Sequence, residues 1–98
     1  MVINVLDLVP HCYTWSDGEV VGSVIRRAFS QKQMVQLSFT GVNEVPSSFV
    51  NSAFVTLLDD YSSDFIRAHL SIVNSTRQIN ELIKHRLEFV ARRGSAAA

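Results

Sequence analysis

Three times along this chain a short aliphatic run gives way to a stripe of helical period, and that alternation leaves few folds open. Val2–Val9 is rich in Val, Ile and Leu and stops at Pro10, which suits a strand. Val20, Val21, Val24, Ile25, Ala28 and Phe29 then recur at helical spacing, with Arg26 and Arg27 facing water. Met34–Phe39 alternates, setting Val35, Leu37 and Phe39 against Gln36 and Ser38, so it reads as a second strand. Val50, Ala53, Phe54, Leu57 and Leu58 stripe a second helix. Leu70–Val73 is a short third strand, followed by a helix striped with Ile79, Leu82, Ile83, Leu87 and Val90. The pattern predicts an α/β fold: a small β/α sandwich with a mixed or parallel sheet of about 3–5 strands, right-handed crossovers and three main helices. Its buried faces should include Val24, Phe54, Leu57, Ile79 and Ile83.

The punctuation between these runs is chemically specific. Ser16-Asp17-Gly18-Glu19 has the form of a capping box for the first helix, which should end near Gln31. Thr40–Glu44 is a turn, and Pro46 forbids a central strand beyond it. Ser47 and Ser48 offer hydroxyls at the start of the second helix, which should stop around Asp59–Tyr61. Ser62–His69 has no clear period and leaves room for one short helical turn. Ser75–Gln78 has the form of a second capping box. Residues 94–98, Gly-Ser-Ala-Ala-Ala, read as a cloning-vector tail, which leaves 1–93 as a single domain.

Charge and cysteine usage narrow the function classes. Nine basic and nine acidic side chains balance, whereas a protein that tracks phosphates normally carries a basic excess, so nucleic acid is disfavoured as a partner. A lone cysteine, Cys12, permits no internal disulfide and suits a reducing compartment. No run approaches the roughly 18 apolar residues of a membrane helix, and Met1–Pro10 lacks the form of a signal core. The expectation is a cytoplasmic protein with no membrane contact.

Neither common phosphate-cradling glycine motif is present; Gly18 and Gly22, four apart, suit close packing of a helix on a sheet. His11 and Cys12 are adjacent, with His69 and His85 elsewhere, but a single Cys without a spaced partner makes a poor zinc set. An enzyme would have to use Cys12 as a nucleophile or the Asp59, Asp60 and Asp64 carboxylates as a cation site. Those carboxylates read more simply as a solvated helix end. Lys84, Arg86, Arg92 and Arg93 in the last turns of the third helix complement its dipole without any ligand. No cofactor and no metal are expected, and catalysis is not.

Most informative is Val45-Pro46-Ser47-Ser48-Phe49-Val50-Asn51-Ser52, with three hydroxyls and an amide side chain within about two helical turns. A helix start of this kind is hospitable to an added phosphate, though a plain N-cap needs only one serine.

The stretch from Val35 through Thr40-Gly41-Val42-Asn43-Glu44 to Phe49 resembles the central strand–turn–helix of STAS domains, where an Asp-Ser-Ser-Gly helix start follows a Gly-Val turn. Leu70–Ser75 is similar to the next strand of that fold, and short STAS-like domains of unknown function are the nearest match, over roughly residues 18 to 90. The resemblance implies an anti-sigma-factor-antagonist type of module. Such modules bind a kinase with a histidine-kinase-like ATPase fold and are released by phosphorylation of a serine matching Ser47, with Ser48 beside it. Asn51 and Ser52 would extend the partner-binding surface. Pro46 stands where the family has an acidic residue, Phe49 where it has glycine, and the amino-terminal hairpin is reduced to one strand. The alternative is an interaction or small-ligand-sensing domain without a switch. The partner's identity and the oligomeric state are not written in the chain.

Overall fold

Among the described residues, nine elements realise the alternation in the computed structural model: β1 (Val2–Asn4), α1 (Val5–Leu8), α2 (Trp15–Ser30), β2 (Val35–Ser38), α3 (Ser47–Ala53), a 3-10 turn (Val55–Asp59), α4 (Ser63–His69), β3 (Leu70–Val73) and α5 (Arg77–Ala97). Backbone is described over residues 1–97 and side chains over 1–92, so the expectations for Arg93 and for the 94–98 tail lie outside the described side chains. The three strands form one parallel sheet in the order β1-β2-β3.

Register explains which strand residues are buried. Ile3, Leu37 and Ile72 align in one row, and Val2, Gln36 and Ser71 in the next. The first row points at the core, with Leu37 fully buried, while the second faces solvent. Period-two alternation holds along β2 from Val35 to Leu37 and breaks at Ser38, which was expected on the polar face with Gln36 but is buried. A slip of one residue would put Gln36 inside.

Val2–Val9 is not one strand. Continued as a strand, it would set Asp7 on the same face as Val5 and Val9. One helical turn, closed by the Val9 amide donating to the Val5 carbonyl at 3.1 Å, buries both valines and turns Asp7 outward. The second helix is likewise broken. α3 ends at Ala53 and the chain tightens into the 3-10 turn, yet Phe54 and Leu57 stay fully buried. Ser62–His69 holds a two-turn helix, capped by the Ser62 hydroxyl accepting from the Phe65 amide at 3.1 Å.

Phe54 sits at the centre of the core, with Phe39 and Phe49 rings 6.5 and 6.4 Å away. Ile79 and Ile83 of α5 close the core, and Val24 is only half-buried. Gly18 and Gly22 do permit a close approach, but of helix on helix rather than helix on sheet. A Cβ at Gly18 would lie 2.5 Å from the Phe49 carbonyl, and one at Gly22 would lie 3.0 Å from the Ser52 carbonyl. This contact fixes α3, and with it the Ser47 helix start, against α2.

Candidate functional site

At the carboxyl end of the sheet the connections after all three strands converge, the usual place for function in open α/β sheets. The segment after β2 passes through Gly41, whose φ of +88° favours glycine, and reaches α3 at Ser47. It is held from the segment after β3. Gln78 donates to the Val45 carbonyl at 3.0 Å and accepts from the Val45 amide at 3.1 Å, while the Thr76 hydroxyl donates to the Asn43 carbonyl at 2.8 Å. Deeper in, the buried Ser38 hydroxyl pairs with Thr40 at 2.8 Å and accepts from the Asn74 amide group at 3.0 Å. Asn74 holds a left-handed φ of +51°, which Asn tolerates better than most residues.

Gln78 is thus a clamp, and the capping box expected at Ser75–Gln78 is not formed. Thr76 caps α5 instead, accepting from the Ile79 amide at 3.3 Å. Asn74, Thr76 and Gln78 are the site residues that sequence reasoning misses. Their polarity next to a strand end was visible, but a side chain reaching across to Val45 leaves no local signature.

The connector after β1 forms the other wall. The capping box of α2 uses Thr14 and Asp17, two residues ahead of the expected Ser16 and Glu19. Asp17 also accepts from the Tyr13 amide at 3.1 Å and pairs with His11 Nδ1 at 2.9 Å. Those extra donors select the earlier register. Partial burial pushes the Asp17 carboxyl up. The hydrogen bonds from Tyr13, Thr14 and His11 outweigh that and hold it below the usual carboxylate range. His11 stacks on Tyr13, their centroids 4.9 Å apart, so it braces the connector rather than facing a metal.

Of the four residues expected to meet a partner, Ser47 alone is fully exposed, Ser48 and Asn51 are half-buried, and Ser52 is buried. Ser47 is exposed, and its hydroxyl caps nothing, because Pro46 occupies the N-cap position with no side-chain hydrogen bond. Ser48 is half-buried and donates weakly to the Tyr13 carbonyl at 3.5 Å. Ser52 is only 3% exposed, lies in the α2–α3 seam and donates to the Phe49 carbonyl at 3.2 Å, so a surface role for it is corrected. Asn51 accepts from Arg86 Nε at 3.0 Å and ties α3 to α5.

The other candidates disperse. Cys12 is 1% exposed, and burial, followed by the Asp17 charge, raises its thiol to about 11, which leaves almost no thiolate near neutrality. Asp60 pairs with Arg26, which also donates to the Thr56 carbonyl, so one carboxylate of the acidic run is tied to α2. His69 stacks on Phe65 with centroids 3.9 Å apart. Among the described residues no group of three or more His, Cys, Asp or Glu side chains could hold a metal ion. No helix among them is long and apolar enough to cross a membrane.

No curated protein and no solved structure matches the chain. One family profile, described as the STAS-like domain of unknown function (DUF4325), does match, over residues 17–80. That span takes in α2 from Asp17 onward, β2 with its turn, the Ser47 helix start and β3, and ends just past the Gln78 clamp. With most of its length inside that match and a parallel α/β sheet of the expected kind, the chain belongs to the family of STAS-like domains of unknown function.

Proposed function

We propose that this domain is a regulatory protein-binding module, switched by phosphorylation at Ser47 and residing in the cytoplasm. The observation that carries the reading is the Ser47 hydroxyl: exposed, bound to nothing among the described residues, and standing on a helix start fixed from two sides. A free hydroxyl on a rigid platform can be modified without breaking a bond that the fold uses. Next to it, the Tyr13 carbonyl receives Ser48, and Tyr13 and Trp15 are 62% and 48% exposed. Exposed aromatic residues of this kind are enriched in protein interfaces. The partner class suggested by the family likeness is a kinase with a histidine-kinase-like ATPase fold.

A phosphate would add about −1.5 to −2 charges at this surface. Glu44, exposed on the same segment, adds a further negative charge to the patch. A partner fitted to neutral Ser47 would then meet a doubly charged group that it must desolvate, and would dissociate. The test is an affinity series of wild type, Ser47→Ala and Ser47→Asp against the ATPase, with mass spectrometry after ATP is added. Ser47→Asp should weaken binding by about tenfold or more, the loss of one desolvated contact, with the melting temperature unchanged. Ser47→Ala should bind and take no phosphate. Equal binding by all three, with no phosphate on Ser47 or Ser48, would leave an interaction module without a switch. Pro46 at the N-cap and the fully buried Phe49 favour that second reading, since both serve α3 simply as a helix.

A further inference from the structure

The two edges of the sheet are not alike. β1 is three residues long and runs straight into α1, which blunts it. β3 also abuts a helix, α4, at its start, but it is a four-residue edge, Leu-Ser-Ile-Val, with no proline, no charge and no bulge to discourage pairing. The Val73 carbonyl accepts from the Phe39 amide on the β2 side at 3.1 Å. By strand alternation, the backbone groups of Leu70 and Ile72 then face away from β2. The Leu70 amide is taken by the Ile66 carbonyl at the end of α4, which leaves the Leu70 carbonyl and the amide and carbonyl of Ile72 at the free edge.

Beneath that edge lies an open groove of about 470 Å³ between α4 and α5. Its floor is Ile66, Leu70, Ile72, Ile83 and Leu87. Leu70 and Ile72 are left half-buried there, while Val35 and Leu37 on β2, in the same rows, are closed over. The rim is basic. Arg67 and Lys84 line the groove, and a smaller depression of about 260 Å³ continues from it to Arg92. Glu88 is the single acidic side chain lining either cavity, and Arg67 engages it at 3.5 Å. Lys84 and Arg92 have no ion-pair partner among the described residues.

We infer that the β3 edge is a second docking site, which takes an extended segment of a protein partner as a fourth strand. That segment carries apolar side chains at alternate positions and acidic residues at its ends. Edge addition of this kind takes its affinity from main-chain hydrogen bonds and its specificity from pockets under alternate side chains, and the groove supplies such a pocket. Charge selects the occupant. A second copy joined through the same edge would bring Arg67 and Lys84 of both copies to one seam, whereas an acidic segment neutralises them.

The experiment uses the full chain and a fluorescein-labelled peptide with a Val-Ser-Ile-Ser-Val centre and aspartates at both ends. A counterpart carries lysines at the ends. Fluorescence anisotropy at low salt should show the aspartate peptide binding about tenfold or more tighter than the lysine one, a preference that weakens as salt screens the rim. In the Arg67→Glu/Lys84→Glu double variant the preference should reverse. Both residues are exposed, and circular dichroism verifies that the variant is folded. Amide hydrogen exchange should slow at Ile72 when the aspartate peptide is added, while the Leu70 amide, already donating to the Ile66 carbonyl, serves as the internal reference. Ser47→Asp should bind the peptide as wild type does, which separates this site from the phosphorylation reading. Absence of binding at millimolar peptide, equal affinity for both peptides, or indifference to charge reversal overturns the proposal. So does a dimer in sedimentation that Arg67→Glu/Lys84→Glu disrupts, since the occupant would then be a second copy.

Discussion

Asp17 concentrates more of the local structure than any other charged residue. It receives the Thr14 and Tyr13 amides and His11, and so fixes where α2 begins. Its folded pKa is lowered, so its contribution to stability is present above the unfolded carboxylate value and is lost as pH falls through the folded one. The start of α2 should therefore loosen in acid, below about pH 4. An NMR titration of the Asp17 carboxyl and the Tyr13 and Thr14 amides checks this, and Asp17→Ala should remove the acid-dependent step. At the same scale, Phe54→Ala should cost roughly 3 to 5 kcal/mol in urea unfolding, because the ring is fully buried between two other phenylalanines. Single residues also show where sequence was ambiguous. Thr14-x-x-Asp17 and Ser16-x-x-Glu19 are equally good capping boxes on paper, and only the contact with His11 and Tyr13 separates them.

Elements were legible wherever one period ran uninterrupted. The stripes that place Val21, Ile25, Phe54, Ile79 and Ile83 inside were visible in the chain, because burial of one helix face is a local pattern. What was not visible depends on a second element. Ser52 looks like a surface hydroxyl until Gly18 on α2 makes room for it, and Gln78 looks like a cap until Val45 lies within reach. The serines at the start of α3 were legible as a position, but their division of labour was not. The seam between α2 and α3 carries its own expectation. Gly18→Ala would set a methyl group 2.5 Å from the Phe49 carbonyl, so backbone must move, at a cost of roughly 1 to 3 kcal/mol. Thermal unfolding measures that cost. If Gly18→Ala also alters the environment of Ser47, seen in its amide chemical shift, the seam is what holds the helix start in place.

For the molecule as a whole, a parallel sheet was expected and is present, with three strands at the lower end of the expected range. The carboxyl end and the β3 edge are separate faces built by the same three strands, one by their loops and the other by an unpaired backbone. The parallel topology itself governs how the chain reaches this state. Val2 pairs with Gln36 and Val35 with Leu70, so each ladder must close a whole crossover, and no hairpin exists to start the sheet. Chain-closure entropy is then spent before any strand pairing returns it. The Phe39, Phe49 and Phe54 cluster, whose members lie close together along the chain, is the more local alternative for a folding nucleus. In stopped-flow refolding, helical ellipticity should recover before the β1 and β3 amides gain exchange protection. Ala53→Gly, buried on α3 between Phe49 and Phe54, should slow refolding more than Val2→Ala, which sits on the exposed face of the first strand. A chain emerging from synthesis would thus hold its helices while β3 was still unpaired. The last strand to join the sheet would also be the one whose outer edge stays open.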